Sequence, residues 1–184
     1  MKIAIDIGKV LTYYTKDKSI IDKLINIDNS LEILVKWKSI GIEIYICSFC
    51  LEKQAYKRTN KLKNDGDGEL FIKEYYISDR LYKKDVITYI DADIMIDDNE
   101  EVLNRIKDKQ SHVITILFQE FNKLKKKSHK KHILVNNWKE LDKFIDKIFL
   151  KFEKKIFLSN YELISDGYNI KELNEKAYFV EKIL

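Results

Sequence analysis

Apolar stretches of strand length recur along the chain, and helical patterns separate them. These stretches lie at residues 2–7, 42–48, 75–78, 93–97, 112–118 and 133–135. They are rich in Ile, Val and Tyr, and most are continuous instead of alternating with polar residues. This pattern is typical of parallel strands that are buried on both faces of a sheet. The spacing therefore predicts a central, mostly parallel sheet.

The segments between the strands show the helical spacing of apolar residues. Residues 30–40 are predicted to form a helix with Ser30 as N-cap and Gly41 at its end. Further helices are predicted at 51–63, at 83–90, after a cap at Asn99, and at 138–153. Alternating strands and helices predict an α/β fold with right-handed crossovers, a Rossmann-like three-layer sandwich.

Composition is typical of a globular protein and adds few constraints. The chain has 184 residues, of which 45% are hydrophobic and 35% are charged, with a net charge of +4. No stretch approaches the roughly 20 apolar residues of a membrane span, so no membrane partner is expected. The first strand begins at the amino terminus without a signal-peptide pattern, so a cytoplasmic location is expected.

Polar residues at the ends of three predicted strands are the candidates for chemistry. Asp6 ends the first strand, Ser48 ends the second, and Asp97 and Asp98 end the fourth. Acidic groups at the end of a core strand need a partner. In an open α/β sheet, ligands collect at the carboxyl ends of strands, so these side chains are expected to face one crevice.

Lys83 and Lys84 begin the predicted helix that leads into the fourth strand, and a lysine there can reach the same crevice. Carboxylates, a hydroxyl and an ammonium suit phosphoryl transfer, which needs positioning and charge neutralisation above all. A divalent cation held by Asp6 and by Asp97 or Asp98 would screen the repulsion between a carboxylate and a phosphoryl group.

Four motifs in this order resemble the haloacid dehalogenase-like hydrolase (HAD) superfamily over roughly residues 2–150. They are Asp6-Ile-Gly-Lys-Val10-Leu11, the strand ending in Ser48, the lysine that opens a helix, and the strand ending in Asp97-Asp98. For the lysine, Lys83 is preferred over Lys84 because Val86 and Ile87 then fall at core positions. Residues 1–155 are expected to form the phosphatase-like core, and 156–184 a C-terminal extension that packs on the core or on a partner.

The resemblance implies a role for each residue. Asp6 would be the nucleophile that forms an aspartyl-phosphate, and Ser48 and Lys83 would bind the phosphate. Asp6, the Gly8 carbonyl and Asp97 or Asp98 would hold Mg²⁺. Gly8 departs from the family pattern, which usually has a second aspartate there as general acid and base. Lys9, Tyr13 and Asp17 are the nearby groups that could replace it.

The sequence allows more than one interpretation of the substrate, of a lysine run and of a C-x-x-C motif. Short segments on either side of the second strand predict a minimal cap, with room for one short helix between residues 17 and 28. An open site suits a bulky substrate, which could be a nucleic-acid end, a phosphoprotein or another large phosphate ester, and a nucleotide would need a lid from residues 156–184 or from a second subunit. The small cap and a lysine run together favour a phosphorylated nucleotide or nucleic-acid end. A run of six lysines at 123–132 could touch phosphates or form a solvated loop. Cys47 and Cys50 form a C-x-x-C, which is either a redox pair or a buried hydrophobe followed by a loop thiol.

Gly8 also supports a second hypothesis for the function. A protein that has lost its general acid could bind a ligand or partner without turnover, as a regulatory module. A phosphatase assay with magnesium separates this alternative from an active enzyme.

Overall fold

A computed structural model describes residues 1–14, 24–50, 70–119 and 131–165, together with Lys57, Asn60 and Asn64, which are helical. The strands are β1 (Lys2–Ile5), β2 (Thr12–Tyr14), β3 (Leu24–Asn26), β4 (Glu43–Phe49), β5 (Lys73–Ile77), β6 (Ile94–Asp97), β7 (Ile114–Phe118) and β8 (Ile133–Val135). The α-helices are α1 (Ser30–Ser39), α2 (Lys83–Ile90), α3 (Glu100–Lys109) and α4 (Trp138–Ser165), and Arg80–Tyr82 form a short 3₁₀ helix.

Six strands form one parallel sheet in the order β5-β4-β1-β6-β7-β8. Strand β1 lies at the centre, between β4 and β6, with Ile5 opposite both Ile46 and Ile96. The chain adds β4 and β5 on one side of β1, then crosses over to add β6, β7 and β8 on the other. The predicted α/β sandwich with a parallel sheet is therefore confirmed, and its three acid- or serine-bearing strands are neighbours.

Both faces of the sheet are buried, which explains the continuous apolar runs. One face packs on α2 and α3; this cluster contains Ala4, Tyr45, Cys47, Met95, Ile87, Ile90, Leu103 and Ile106. Because side chains alternate along a strand, the intervening residues point to the opposite face. Ile3, Ile5, Ile46 and Ile96 on that face are fully buried as well.

A two-stranded antiparallel hairpin, β2–β3, follows the first strand of the sheet. Thr12 pairs with Asn26, and Gly8 forms an isolated bridge with Thr12. The short helix considered between residues 17 and 28 is wrong for Leu24–Asn26, because these residues extend to pair with the β-forming triplet Thr12–Tyr14. Residues 17–23 lie outside the described part of the chain.

The predicted helix boundaries need small corrections. Helix α1 begins at Ser30, but its N-cap is Asn29, with a φ of 64° and no side-chain cap. Gly41 ends the helix segment with a φ of 83°, a conformation that favours glycine. Asn99 caps α3 as predicted, because its side chain accepts the N–H groups of Glu101 and Val102.

The last helix is longer than the pattern predicted. It extends past residue 153 to Ser165, and residues 166–184 lie outside the described part of the chain. The chain divides into two compact units, Met1–Asp142 and Lys143–Leu184, and the boundary predicted between residues 155 and 156 stays a prediction. No helix in the described ranges combines the length and apolar character that crossing a membrane requires.

Trp138, the first residue of α4, anchors the loop that follows β1. Its indole Nε1 donates a hydrogen bond of 2.7 Å to the Val10 carbonyl, and its ring lies 5.5 Å from that of Trp37. Leu11 and Thr12 N–H groups both donate to the Ile7 carbonyl at 3.0 Å. The loop after Asp6 is therefore closed on itself and fixed to a buried ring.

Replacing this anchor should weaken the fold. Trp138→Phe keeps a ring but leaves the buried Val10 carbonyl without its donor, which should cost about 1–3 kcal/mol of unfolding free energy. Urea unfolding measures the change. Tyr89→Phe, at a ring that is largely exposed, is the control and should change stability by less than about 0.5 kcal/mol. Equal stability of the Trp138 variant and wild type would show that the hydrogen bond contributes nothing.

Candidate active site

Three carboxylates meet at the carboxyl edge of the two central strands. Asp6 continues β1, and its N–H donates to the Ile96 carbonyl of β6 at 3.0 Å. Asp97 is the last residue of β6, and Asp98 follows it. One oxygen from each of Asp6, Asp97 and Asp98 lies within 4.8 Å of the other two. The parallel register thus brings together acids that are ninety residues apart in sequence.

Lys83 lies between two of these acids. Its Nζ donates to Asp97 Oδ2 at 2.6 Å and forms an ion pair with Asp6 Oδ1 at 2.9 Å. Lys83 is only 2% exposed, although it is the first residue of α2. The buried Ile87 one turn later sets the helical phase that turns Lys83 inward. Lys84 forms no ion pair within the described residues, so the structure brings Lys83 to the acids and not Lys84.

The third carboxylate is more open to solvent. Asp98 Oδ2 lies 3.5 Å from Nζ of Lys9, whose side chain is exposed. Asp97 Oδ1 accepts the Asn99 N–H at 2.9 Å, which fixes the turn between β6 and α3. Lys9 adopts a φ of 59°, which is uncommon for a residue with a side chain. The loop conformation therefore places a second cation beside the acids.

The charges at this edge do not balance among themselves. Burial is the main cause that raises the pKa of Asp97 and of Asp98, and the neighbouring Asp6 charge raises both further. Burial disfavours the Lys83 ammonium, but the Asp6 and Asp97 carboxylates outweigh it and raise the Lys83 pKa. Three carboxylates facing one buried ammonium form an acceptor-rich site that favours a further cation.

The oxygen donors fit a hard divalent cation such as Mg²⁺. Magnesium prefers carboxylate and carbonyl oxygens. Asp6 Oδ1 is buried and accepts no hydrogen bond within the described residues, since its contact with Lys83 has the distance but not the geometry of one. Asp6, Asp97 and Asp98 could hold the ion. The Gly8 carbonyl lies two residues beyond Asp6, in the anchored loop.

Ser48 occupies the neighbouring strand near its carboxyl end. It is fully buried, and its Oγ has no hydrogen-bond partner in the described part of the chain. A buried hydroxyl without a partner is uncommon and is often completed by a water, an ion or a ligand, and Thr12 Oγ1 and Ser30 Oγ are buried without a partner among the described residues as well. Ser48 is on the strand next to Asp6 but is not bonded to the carboxylates. Of the residues suggested to replace the missing acid, Lys9 is at the site, and Asp17 lies outside the described residues.

The two cysteines are consistent with a structural role. Both are free and buried, and burial is the main cause that raises the pKa of Cys47 to about 12. A thiol with so high a pKa is a weak nucleophile. The redox interpretation of the C-x-x-C therefore has little support.

Sequence reasoning missed two exposed residues at the same edge. The Cζ of Arg80 lies 5.2 Å above the centre of the Phe49 ring. No periodic signal connects a residue at the end of β4 with one in the 3₁₀ helix after β5. Only the proximity of Phe49 to Ser48 and of Arg80 to Lys83 along the chain could have drawn attention to them.

Comparison with known proteins gives structural neighbours but no sequence family. No protein-family model matches the chain. No curated protein matches its sequence. A HAD-superfamily hydrolase from Ehrlichia chaffeensis matches with a TM-score of 0.58 at 12% identity, over 80% of this chain and 97% of that one. The chain shares its fold with HAD-superfamily hydrolases.

Two further solved structures have similar folds. An uncharacterized protein from Listeria monocytogenes serotype 4b matches with a TM-score of 0.57 at 15% identity, over 82% of this chain and 98% of that one. The D,D-heptose 1,7-bisphosphate phosphatase of B. bronchiseptica, complexed with magnesium and phosphate, has a TM-score of 0.52 at 10% identity, over 80% and 99%. At such identities the likeness establishes the fold alone.

Lys83 should contribute far more to the free energy of unfolding than Lys84. Lys83→Met leaves two buried carboxylates without their ammonium, which should cost about 3–5 kcal/mol of unfolding free energy. The matched variant Lys84→Met should stay within about 0.5 kcal/mol of wild type. Chemical denaturation without added metal measures both. Similar losses in the two variants would contradict the ion-pair geometry.

Proposed function

We propose that the protein is a magnesium-dependent phosphatase that hydrolyses a phosphate monoester through an aspartyl-phosphate at Asp6. The observation that carries the proposal is the buried Lys83 ammonium between Asp6 and Asp97, with Asp98 beside them. These groups lie at the carboxyl edge of a sheet whose fold is that of HAD-superfamily hydrolases. The motif order that resembles this superfamily supports the same role for each residue.

The reaction proceeds in two displacements at phosphorus. A carboxylate oxygen of Asp6 bonds to the phosphorus, the bond to the leaving oxygen breaks, and that oxygen takes a proton from solvent to become an alcohol. Water then attacks the phosphorus and loses a proton to solvent, while the bond between the phosphorus and the Asp6 oxygen breaks, which releases inorganic phosphate and restores the Asp6 carboxylate. Lys83 and the Ser48 hydroxyl hold the phosphoryl oxygens in both steps. These contacts orient the group and offset its negative charge, which is most of what phosphoryl transfer needs.

Magnesium would be held by Asp6, the Gly8 carbonyl and Asp97 or Asp98. When bound, the ion supplies positive charge that lowers the repulsion between the Asp6 carboxylate and the phosphoryl oxygens. Lys83 alone leaves this edge with excess negative charge.

Gly8 limits the reaction rate in this proposal. The usual second aspartate delivers a proton to the leaving oxygen, and a positioned acid–base group contributes about 10²–10⁴-fold. Lys9 is the described cation nearest the acids on this loop, and it can donate a hydrogen bond to the leaving oxygen. The competing function is a ligand-binding module without turnover, and Gly8 is the observation that favours it.

A nucleotide or a nucleic-acid end is the proposed substrate class. Among the described residues between β1 and α1, the short hairpin β2–β3 is the only element, and this small size supports an open site that accepts a large phosphate ester. The lysine run at 123–132 would add affinity for phosphates, but its first eight residues lie outside the described ranges.

Magnesium should bind and stabilise wild type. A ligand specific for the folded state adds about 2.7 kcal/mol of stability at 100 times its dissociation constant. Melting temperature and calorimetry, with and without MgCl₂, measure the effect. Asp98→Asn should reduce it strongly, whereas Asp91→Asn, an exposed carboxylate at the opposite end of β6, should not. A magnesium response that is absent in wild type, or equal in Asp98→Asn and wild type, removes the metal from the mechanism.

Asp6 should be indispensable for turnover. Asp6→Asn keeps the shape of the side chain and removes the attacking charge, so hydrolysis of a phosphate monoester should fall to background. Gly8→Asp restores the usual acid and should raise kcat by about 10²-fold or more. Comparable rates in wild type and Asp6→Asn would rule out the mechanism. An inactive wild type with an active Gly8→Asp variant would favour the binding-module alternative.

A further inference from the structure

An exposed aromatic–guanidinium pair lies on the same side of the sheet as the candidate nucleophile. Side chains alternate along strands, so residues two apart share a face. Ala4, Cys47 and Met95 all pack on the α2–α3 face. Two residues farther along their strands, Asp6, Phe49 and Asp97 therefore lie on that face at the carboxyl edge. Phe49 is about 7 Å beyond Cys47 along β4, since a strand rises about 3.3 Å per residue.

Arg80 contacts Phe49 from the segment that leads into α2. It begins the 3₁₀ helix that leads directly into Lys83, so its Cα lies about 6 Å from that of Lys83 at 2.0 Å per residue. Its Cζ is 5.2 Å from the Phe49 ring centre. The Phe49–Arg80 pair therefore lies next to Lys83, whose ammonium contacts Asp6 and Asp97.

The pair is available to a ligand. Phe49 is 38% exposed, and Arg80 is also exposed. The neighbouring carboxylate of Asp79 accepts the Leu81 N–H at 2.9 Å and caps the 3₁₀ helix. Arg80 forms no ion pair with any described residue. Its guanidinium carbon lies over the Phe49 ring, which restrains the side chain, and its N–H groups have no hydrogen-bond partner among the described residues.

The surroundings favour a planar, uncharged ligand over a second anion. Leu81 and Tyr82 are 40% and 56% exposed, so the segment between Arg80 and Lys83 offers apolar surface. A further phosphate would need several cations, whereas a nucleobase stacks on aromatic rings and on guanidinium planes.

We infer that Phe49 and Arg80 form a subsite for the leaving group, and that this leaving group carries a nucleobase. The inference rests on the proposed phosphatase function. The phosphate lies at Asp6 and Lys83, and the base stacks on the Arg80–Phe49 pair. The same chemistry serves a free nucleotide and the terminal nucleotide of a strand. A cation–π pair alone does not mark such a site: Lys73 lies 5.1 Å above the Tyr75 ring, but at the amino-terminal end of β5.

The test compares a phosphate ester without a base with two esters that carry one. Wild type with magnesium is assayed for kcat/KM on adenosine 5′-monophosphate, on ribose 5-phosphate and on a 5′-phosphorylated dinucleotide. Stacking is expected to favour the two base-containing esters by about 5- to 150-fold. Arg80→Ala and Phe49→Leu should each remove most of this preference, measured in one protein as the ratio of kcat/KM on the base-containing esters to kcat/KM on ribose 5-phosphate. The control Lys73→Ala should keep the full preference. The ratio of kcat/KM between the mononucleotide and the dinucleotide distinguishes a free nucleotide from the end of a strand as the preferred substrate.

A binding measurement separates failure of the subsite from failure of the phosphatase. Calorimetry on the Asp6→Asn protein, with and without Arg80→Ala, records adenosine 5′-monophosphate binding without turnover, and melting curves verify folding. Equal hydrolysis of all three esters overturns the subsite and leaves the phosphatase intact. No hydrolysis, but nucleotide binding that Arg80→Ala weakens by 5-fold or more, overturns the phosphatase and supports the subsite. No hydrolysis together with nucleotide binding that is absent or independent of Arg80 overturns both.

Discussion

The buried ammonium of Lys83 is the interaction on which the candidate site depends. Parallel pairing of β1 with β6 brings Asp6 and Asp97 to the same edge, where burial makes their negative charges costly. Lys83 contacts both carboxylates and offsets part of that cost. The remaining excess of carboxylate oxygen, with Asp98 beside it, creates a place for a divalent cation. The buried negative charge that costs folding free energy is thus the same feature on which the proposed binding of metal and phosphate rests.

The surrounding structure holds the acids in position before any ligand arrives. Asp6 is tied to β6 through its N–H, and the loop behind it closes on the Ile7 carbonyl. Trp138 fixes the same loop by its bond to Val10. A group that is already oriented loses little entropy when the substrate binds, which is a large part of catalytic positioning. The stability of the loop and the geometry of the site therefore have a common origin.

In the proposed function, the residues for phosphoryl transfer and the residues that select the substrate lie on different parts of the edge. The acids and Lys83 come from the core strands and the start of α2, and the proposal gives them a role that any phosphate ester could use. Phe49 and Arg80 lie farther out, where few core contacts restrict the residue type. A fold can keep its reaction centre while the residues around it change the leaving group, which is why fold alone does not identify a substrate.

The amino-acid sequence was sufficient to predict which segments form strands and helices and which of their faces are buried. Continuous apolar runs predicted buried parallel strands ending at Asp6 and Asp97, and helical phase, with Ile87 in the core, favoured Lys83 over Lys84. Three features are visible only in the folded structure: the strand order that makes these ends neighbours, the bond between Trp138 and Val10, and the contact of Arg80 with the Phe49 ring. Periodicity reports which face of an element is buried, because it reflects local geometry. Contacts between distant segments depend on strand order and crossovers, which no local pattern encodes.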